Sequence, residues 1–106
     1  MSELTERIFA HHRSQFGVVS VHQIISKLME ECGEVASDVT RWTEGRPVTG
    51  GRPGFDELAV SEIGDVLIVL TALCGYLGAD IDKVMETAAE EFLSREWDCI
   101  KTKVEA

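Results

Sequence analysis

The apolar positions of this chain fall into four helical segments separated by turn-forming residues. A first helix is expected from Glu3 to about Ser14, weak in apolar content, with a short connection through Gly17. Ser20 followed by Gln23 makes a capping-box pattern and opens a long helix that should run to about Thr43. Its apolar side is Val21, Ile24, Leu28, Val35 and Val39. Residues 44 to 54, EGRPVTGGRPG, combine both prolines with four glycines and read as a loop. A third helix is expected from Phe55 to Gly78, and Asp80 then caps a fourth that continues to about Lys103. In the fourth, Ile81, Val84, Met85, Ala88, Phe92, Cys99 and Ile100 keep mostly helical spacing. That leaves Lys83, Glu86, Glu90 and Glu91 largely outside. The tripeptide GRP recurs at residues 45–47 and 51–53, too short to be an architectural repeat. The expectation is one all-α domain over residues 1–106.

Composition adds a limit on size. With 106 residues and 44% hydrophobic content the chain can build a core, but a thin one for its surface, so a monomer would be marginal. A formal charge of −9 argues against a nucleic acid polymer as partner, because affinity for a polyanion comes mainly from Lys and Arg. A small anion bound through metal stays open. The three cysteines, Cys32, Cys74 and Cys99, are far apart and in helical contexts, which fits neither a disulfide framework nor a zinc spacing. The start MSELTERIFA has no basic region followed by an apolar stretch, and the apolar run from Val66 to Leu77 is too short to span a bilayer. A cytoplasmic protein without membrane association is expected.

Two acidic segments stand out: Glu30, Glu31 and Glu34 in LMEECGEVA, and Glu62 and Asp65 in SEIGDVL. Each holds an acid pair three residues apart, which on a helix puts both side chains on neighbouring positions of one face. Leu58, Val66, Val69 and Leu73 lie within about half a turn of the Glu62 and Asp65 directions at roughly 100° per residue, so these acids are expected inside the apolar face. Glu31 lies on the border of the apolar side of its helix, Glu34 just beyond, and Glu30 points away. Carboxylates converging on a helix interface repel one another and lose hydration, a cost of several kcal/mol per buried ion unless a cation compensates. Oxygen-only ligands with open positions suit Mg²⁺ or Mn²⁺. The plainer reading is a solvated acidic surface, or pairing with Lys27, Arg41 or Arg95. It suits Glu30, but fails for Glu62 and Asp65, which have apolar flanks and no cation within a turn.

The segment KLMEECGEV, followed after the loop by SEIGDVLIVLTALCGYLGADID, resembles the MazG-like nucleotide pyrophosphohydrolases, whose signature is EExxE followed by ExxD. The likeness covers most of the chain. It implies a four-helix fold whose bundle is completed between subunits, as a homodimer or homotetramer. It also implies Mg²⁺-dependent cleavage of a nucleoside triphosphate, a deoxynucleotide or modified one, between the α and β phosphates. By motif position Glu31, Glu34, Glu62 and Asp65 would be metal ligands, with Glu30 a secondary member of the site. Water made more acidic by the metal would attack in line at phosphorus, with Glu34 as the carboxylate that orients it or takes its proton. Family members carry a lysine and an asparagine in the last helix before an arginine; here Glu91 and Phe92 stand there and only Arg95 survives. Phosphate recognition would then depend more on Arg46, Arg52 or Lys27.

Trp42 lies three turns after Glu31 on nearly the same face, where it either stacks on a nucleobase or serves as a core or dimer residue. His11 and His12 are expected to end the first helix facing solvent, His22 to point away from the acids, and Lys27 to make an ordinary helical ion pair with Glu31. A phosphoribosyl-ATP pyrophosphohydrolase or dimeric dUTPase would share the same chemistry. A di-iron bundle would need Glu-x-x-His on two helices, which the chain lacks. A noncatalytic helical interaction module is the remaining rival, and acids retained within an apolar face argue against it.

Overall fold

The computed structural model describes residues 1–17, 19–45 and 55–96, with side chains in the last stretch from residue 60 onward. The described residues form four helices and no strand: α1 (Glu3–Phe16), α2 (Val21–Thr43), α3 (Phe55–Tyr76) and α4 (Ile81–Ser94). The all-α expectation holds.

Local chemistry explains the boundaries. Ser20 accepts the Gln23 backbone N–H at 3.2 Å while its own N–H donates to Gln23 Oε1 at 2.8 Å, so the expected capping box starts α2. Asp80 accepts from the Asp82 N–H at 3.0 Å and starts α4. Between α3 and α4, Gly78 adopts φ 72°. The Ala79 N–H reaches the Cys74 carbonyl at 2.8 Å and the Gly78 N–H that of Gly75 at 3.1 Å, a Schellman ending that only a left-handed residue permits without strain.

Two boundaries differ from expectation. α1 runs on to Phe16 and stops at Gly17, φ 69°, so His11 and His12 lie inside it and do not end it. α4 ends at Ser94, where Arg95 is already extended, and does not continue to Lys103. It buries no residue, so tertiary packing does not sustain its last turn, and Ser94 Oγ turns back to the Glu91 carbonyl at 2.9 Å. Cys99, Ile100 and Lys103 lie outside the described residues.

α2 packs chiefly against α3, α1 lies on α3, and α4 touches α3 lightly. Among the described residues the buried apolar ones are Ile24 on α2 and Val69 and Ala72 on α3. α1 is anchored at its middle and at its start. Phe9 lies so close over Gly75 that a Cβ there would stand 2.4 Å from its ring, and Phe9 meets Tyr76 edge-on at 5.0 Å between centroids. At its start, Thr5 Oγ1 donates to Asp82 Oδ2 at 3.2 Å, tying α1 to the first turn of α4. Val84, Met85, Phe92 and Leu93 of α4 remain exposed. Among the described residues no single helix is long and apolar enough to cross a membrane.

Candidate metal centre and adjoining pocket

Glu31 from α2 and Glu62 and Asp65 from α3 each offer a carboxylate oxygen, and the three oxygens lie within 4.8 Å of one another. Helical spacing places them: Glu31 sits on the α2 border that α3 covers, and Glu62 opposite it in the seam. Both glutamates are buried, at 9% and 8% exposure, and Glu62 Oε2 is sealed from solvent. Asp65 was expected inside the apolar face together with Glu62, but it is exposed. Three residues of helix rotate a side chain by about 60° net, enough to move it from the seam to its rim.

Glu34 stands outside this trio and is solvent-facing. Its carboxyl is held above the ordinary carboxylate range, first by the negative charge of Glu31, then by lost hydration and by Glu62. Glu34 therefore feels the same concentration of charge from the edge. Lys27 Nζ lies 3.1 Å from Glu31 and 3.4 Å from Glu30, the helical ion pairing expected of it. The Glu31 hydrogen bond is the main reason its ammonium is held above the ordinary range. One half-exposed lysine offsets part of the local charge. Three convergent oxygen donors, two of them buried, have the chemistry of a hard divalent cation site.

A pocket of about 370 Å³ adjoins the cluster, with Glu31, Asp65 and Lys27 in its wall. Ile24, Ile68 and Val69 supply an apolar lining, while Gln23 from α2 and His12 and Phe16 from α1 complete it. The sequence reading assigned His12 to solvent. It is half-buried instead, with Nδ1 3.1 Å from the Tyr76 hydroxyl and its ring 4.8 Å from that of Phe16, because α1 continues one turn past it and lies on α3. Burial holds the His12 imidazolium below its ordinary range.

Asp38 is a second residue that sequence reasoning missed: it is only 2% exposed, deeper than any of the five acids singled out. Its spacing of seven from Glu31 places it on the same face of α2. Trp42 is exposed and does not line the pocket. Arg95 is exposed and pairs with Glu91 on its own chain segment. Arg46 and Arg52 lie outside the described residues. His11 and His22 are exposed, and Cys32 and Cys74 are free thiols.

The family model of the MazG nucleotide pyrophosphohydrolase domain matches residues 19–100, a span holding both acid motifs. The crystal structure of the Bacillus-conserved MazG protein, a nucleotide pyrophosphohydrolase, is similar in fold. Its TM-score is 0.65 at 24% sequence identity, over 92% of this chain and 93% of that one. No curated protein matches the chain. The family match over most of the chain, together with four helices that bring the two acid motifs into one seam, shows that the chain belongs to the MazG nucleotide pyrophosphohydrolases, metal-dependent hydrolases acting on acid anhydrides.

Proposed function

We propose that the protein hydrolyses a nucleoside triphosphate, a deoxynucleotide or modified one, at the α–β bond, with Mg²⁺ held by Glu31, Glu34, Glu62 and Asp65. The observation that carries this reading is the 4.8 Å convergence of three carboxylates beside a 370 Å³ pocket. When bound, Mg²⁺ supplies Lewis acidity that neutralises triphosphate oxygens and makes water a stronger acid. Glu31 and Glu62, fixed in the seam, set the geometry of the site, and Asp65 at its rim completes the donor set. Glu34 is the general base: a carboxylate whose pKa is raised by its neighbours holds a proton more readily than an ordinary one. Glu30 is a secondary member that shares Lys27 with Glu31. Lys27, in the pocket wall, is the described cation best placed to meet a phosphate oxygen, and Arg46, Arg52, Arg95 and Trp42 are further candidates for substrate contact.

The protein acts as a homodimer or homotetramer. Exposed Val84, Met85, Phe92 and Leu93 on α4, together with Ile63 and Leu67 on α3, are the apolar residues that another copy would cover.

Product analysis tests the reaction. Incubated with Mg²⁺ and a panel of canonical and modified nucleoside triphosphates, the protein should release pyrophosphate and the monophosphate from at least one of them. Orthophosphate as the primary product would refute the assigned bond.

A further inference from the structure

The polar atoms of the pocket are oriented by bonds made outside it. The Tyr76 hydroxyl meets two partners, the Gly17 carbonyl oxygen at 3.0 Å and His12 Nδ1 at 3.1 Å. A carbonyl only accepts, so the single Tyr76 proton lies toward Gly17, and His12 Nδ1 must donate to the phenolic oxygen. The ring is then the Nδ1–H tautomer, and its remaining polar atom, Nε2, is a bare acceptor. Burial favours the neutral ring. Gln23 is oriented in the same manner. Its Oε1 accepts the Ser20 N–H at 2.8 Å in the capping box, which leaves the amide NH₂ as its free pole. Besides the charged groups Lys27, Glu31 and Asp65, the pocket wall thus carries His12 as an oriented acceptor and Gln23 as an oriented donor.

Position along α2 says what these atoms meet. Gln23 precedes Glu31 by eight residues, roughly 12 Å at the helical rise. A nucleotide with its phosphates at the carboxylates would extend its base along this wall, toward Gln23 and His12 and beside Ile24 and Val69.

We propose that His12 is a specificity-determining residue that accepts a hydrogen bond from an exocyclic amino group of the nucleobase, selecting cytosine- and adenine-type substrates over their oxo counterparts, with Tyr76 as its positioning residue. This rests on the pyrophosphohydrolase reading of the site. An amino group at pyrimidine position 4 or purine position 6 donates to Nε2, and the adjacent unprotonated ring nitrogen accepts from Gln23. A uracil- or guanine-type base reverses both: its oxo group presents lone pairs to a lone pair, and its ring N–H faces the Gln23 NH₂. A polar pair that the bound base covers and leaves unmatched costs more than the matched bonds gain, which is why such sites discriminate well.

Two measurements on the full chain test this: ¹⁵N-resolved NMR of the His12 ring, and kcat/KM with Mg²⁺ for dCTP against dTTP and dATP against dGTP. His12 should carry its proton on Nδ1. Addition of dCMP should displace the Nε2 resonance, and dTMP at the same concentration should not. The amino substrate of each pair should be favoured by roughly tenfold or more. Tyr76→Phe keeps the ring against Phe9 but frees His12 to change tautomer, and His12→Gln presents an amide that can turn either pole. Both should bring the ratios toward one, whatever the absolute rates, whereas a packing defect would lower all four substrates together. An Nε2–H tautomer in the parent, or ratios near one in the parent, overturns the proposal. If none of the four triphosphates is hydrolysed while dCMP alone still displaces Nε2, the His12 assignment stands and the pyrophosphohydrolase reading fails.

Discussion

The seam between α2 and α3 and the surface of α4 invert the usual arrangement of a small globular chain. Buried in or beside the seam are Glu31, Asp38 and Glu62, three carboxylates, against Ile24, Val69 and Ala72, three apolar residues. α4 buries nothing and leaves Val84, Met85, Phe92 and Leu93 in solvent. Charge inside and hydrocarbon outside are both unfavourable for a lone chain. The contrast is what the proposed function accounts for: a cation and its substrate would complete the seam, and another copy would cover the α4 stripe.

The largest expected effect separates the two regions by activity. Glu62→Gln keeps the volume of the side chain and removes one ligand charge, so turnover should fall by roughly three orders of magnitude or more with the helices intact. The same change at exposed Glu86 on α4 should leave turnover within a factor of two of the parent. Equal losses in both would erase the contrast.

Next in size is assembly. Sedimentation at micromolar concentration should show no stable monomer for the parent, and Met85→Glu with Phe92→Glu should release one by placing charge on the apolar stripe. A compact, active parent monomer would remove the role given to α4.

A smaller effect is expected where α1 meets α3. Gly75→Ala would put a methyl 2.4 Å from the Phe9 ring, and the overpacking should lower stability by about 1–3 kcal/mol in a denaturant titration. Stability equal to the parent would mean that α1 does not rest on this glycine.

The residues differ in how much their own neighbours reveal. Ser20, Gln23, Gly78 and Asp80 act within a turn of themselves, so the helix starts and the α3 ending were legible from local chemistry. The meeting of Glu31 with Glu62 and Asp65 was legible because two short acid spacings, each with an apolar flank, have few other physical resolutions. His12 was not: its environment is set by Tyr76, 64 positions away, and by a helix that outruns its weak apolar pattern. Asp38 holds a heptad position seven residues after Glu31, but it sits beside Ser37 and outside the acid pairs of three-residue spacing, so no pattern marked it. The end of α4 was misread because its stripe continues in sequence through Cys99 and Ile100, whereas a stripe that buries none of its residues does little to sustain a helix.

Thermal unfolding of the parent and of Asp65→Asn, with and without Mg²⁺, shows whether the carboxylates of the α2–α3 seam hold a divalent cation. An ion that binds the native site and not the unfolded chain stabilises by mass action, so the parent should gain about 2.7 kcal/mol at one hundred times its Kd for Mg²⁺. Asp65→Asn should show no Mg²⁺-dependent gain, and without metal it should unfold at a higher temperature than the parent, since one of three crowded charges is gone. An Asp65→Asn protein that Mg²⁺ stabilises as strongly as the parent would place the cation elsewhere and contradict the account.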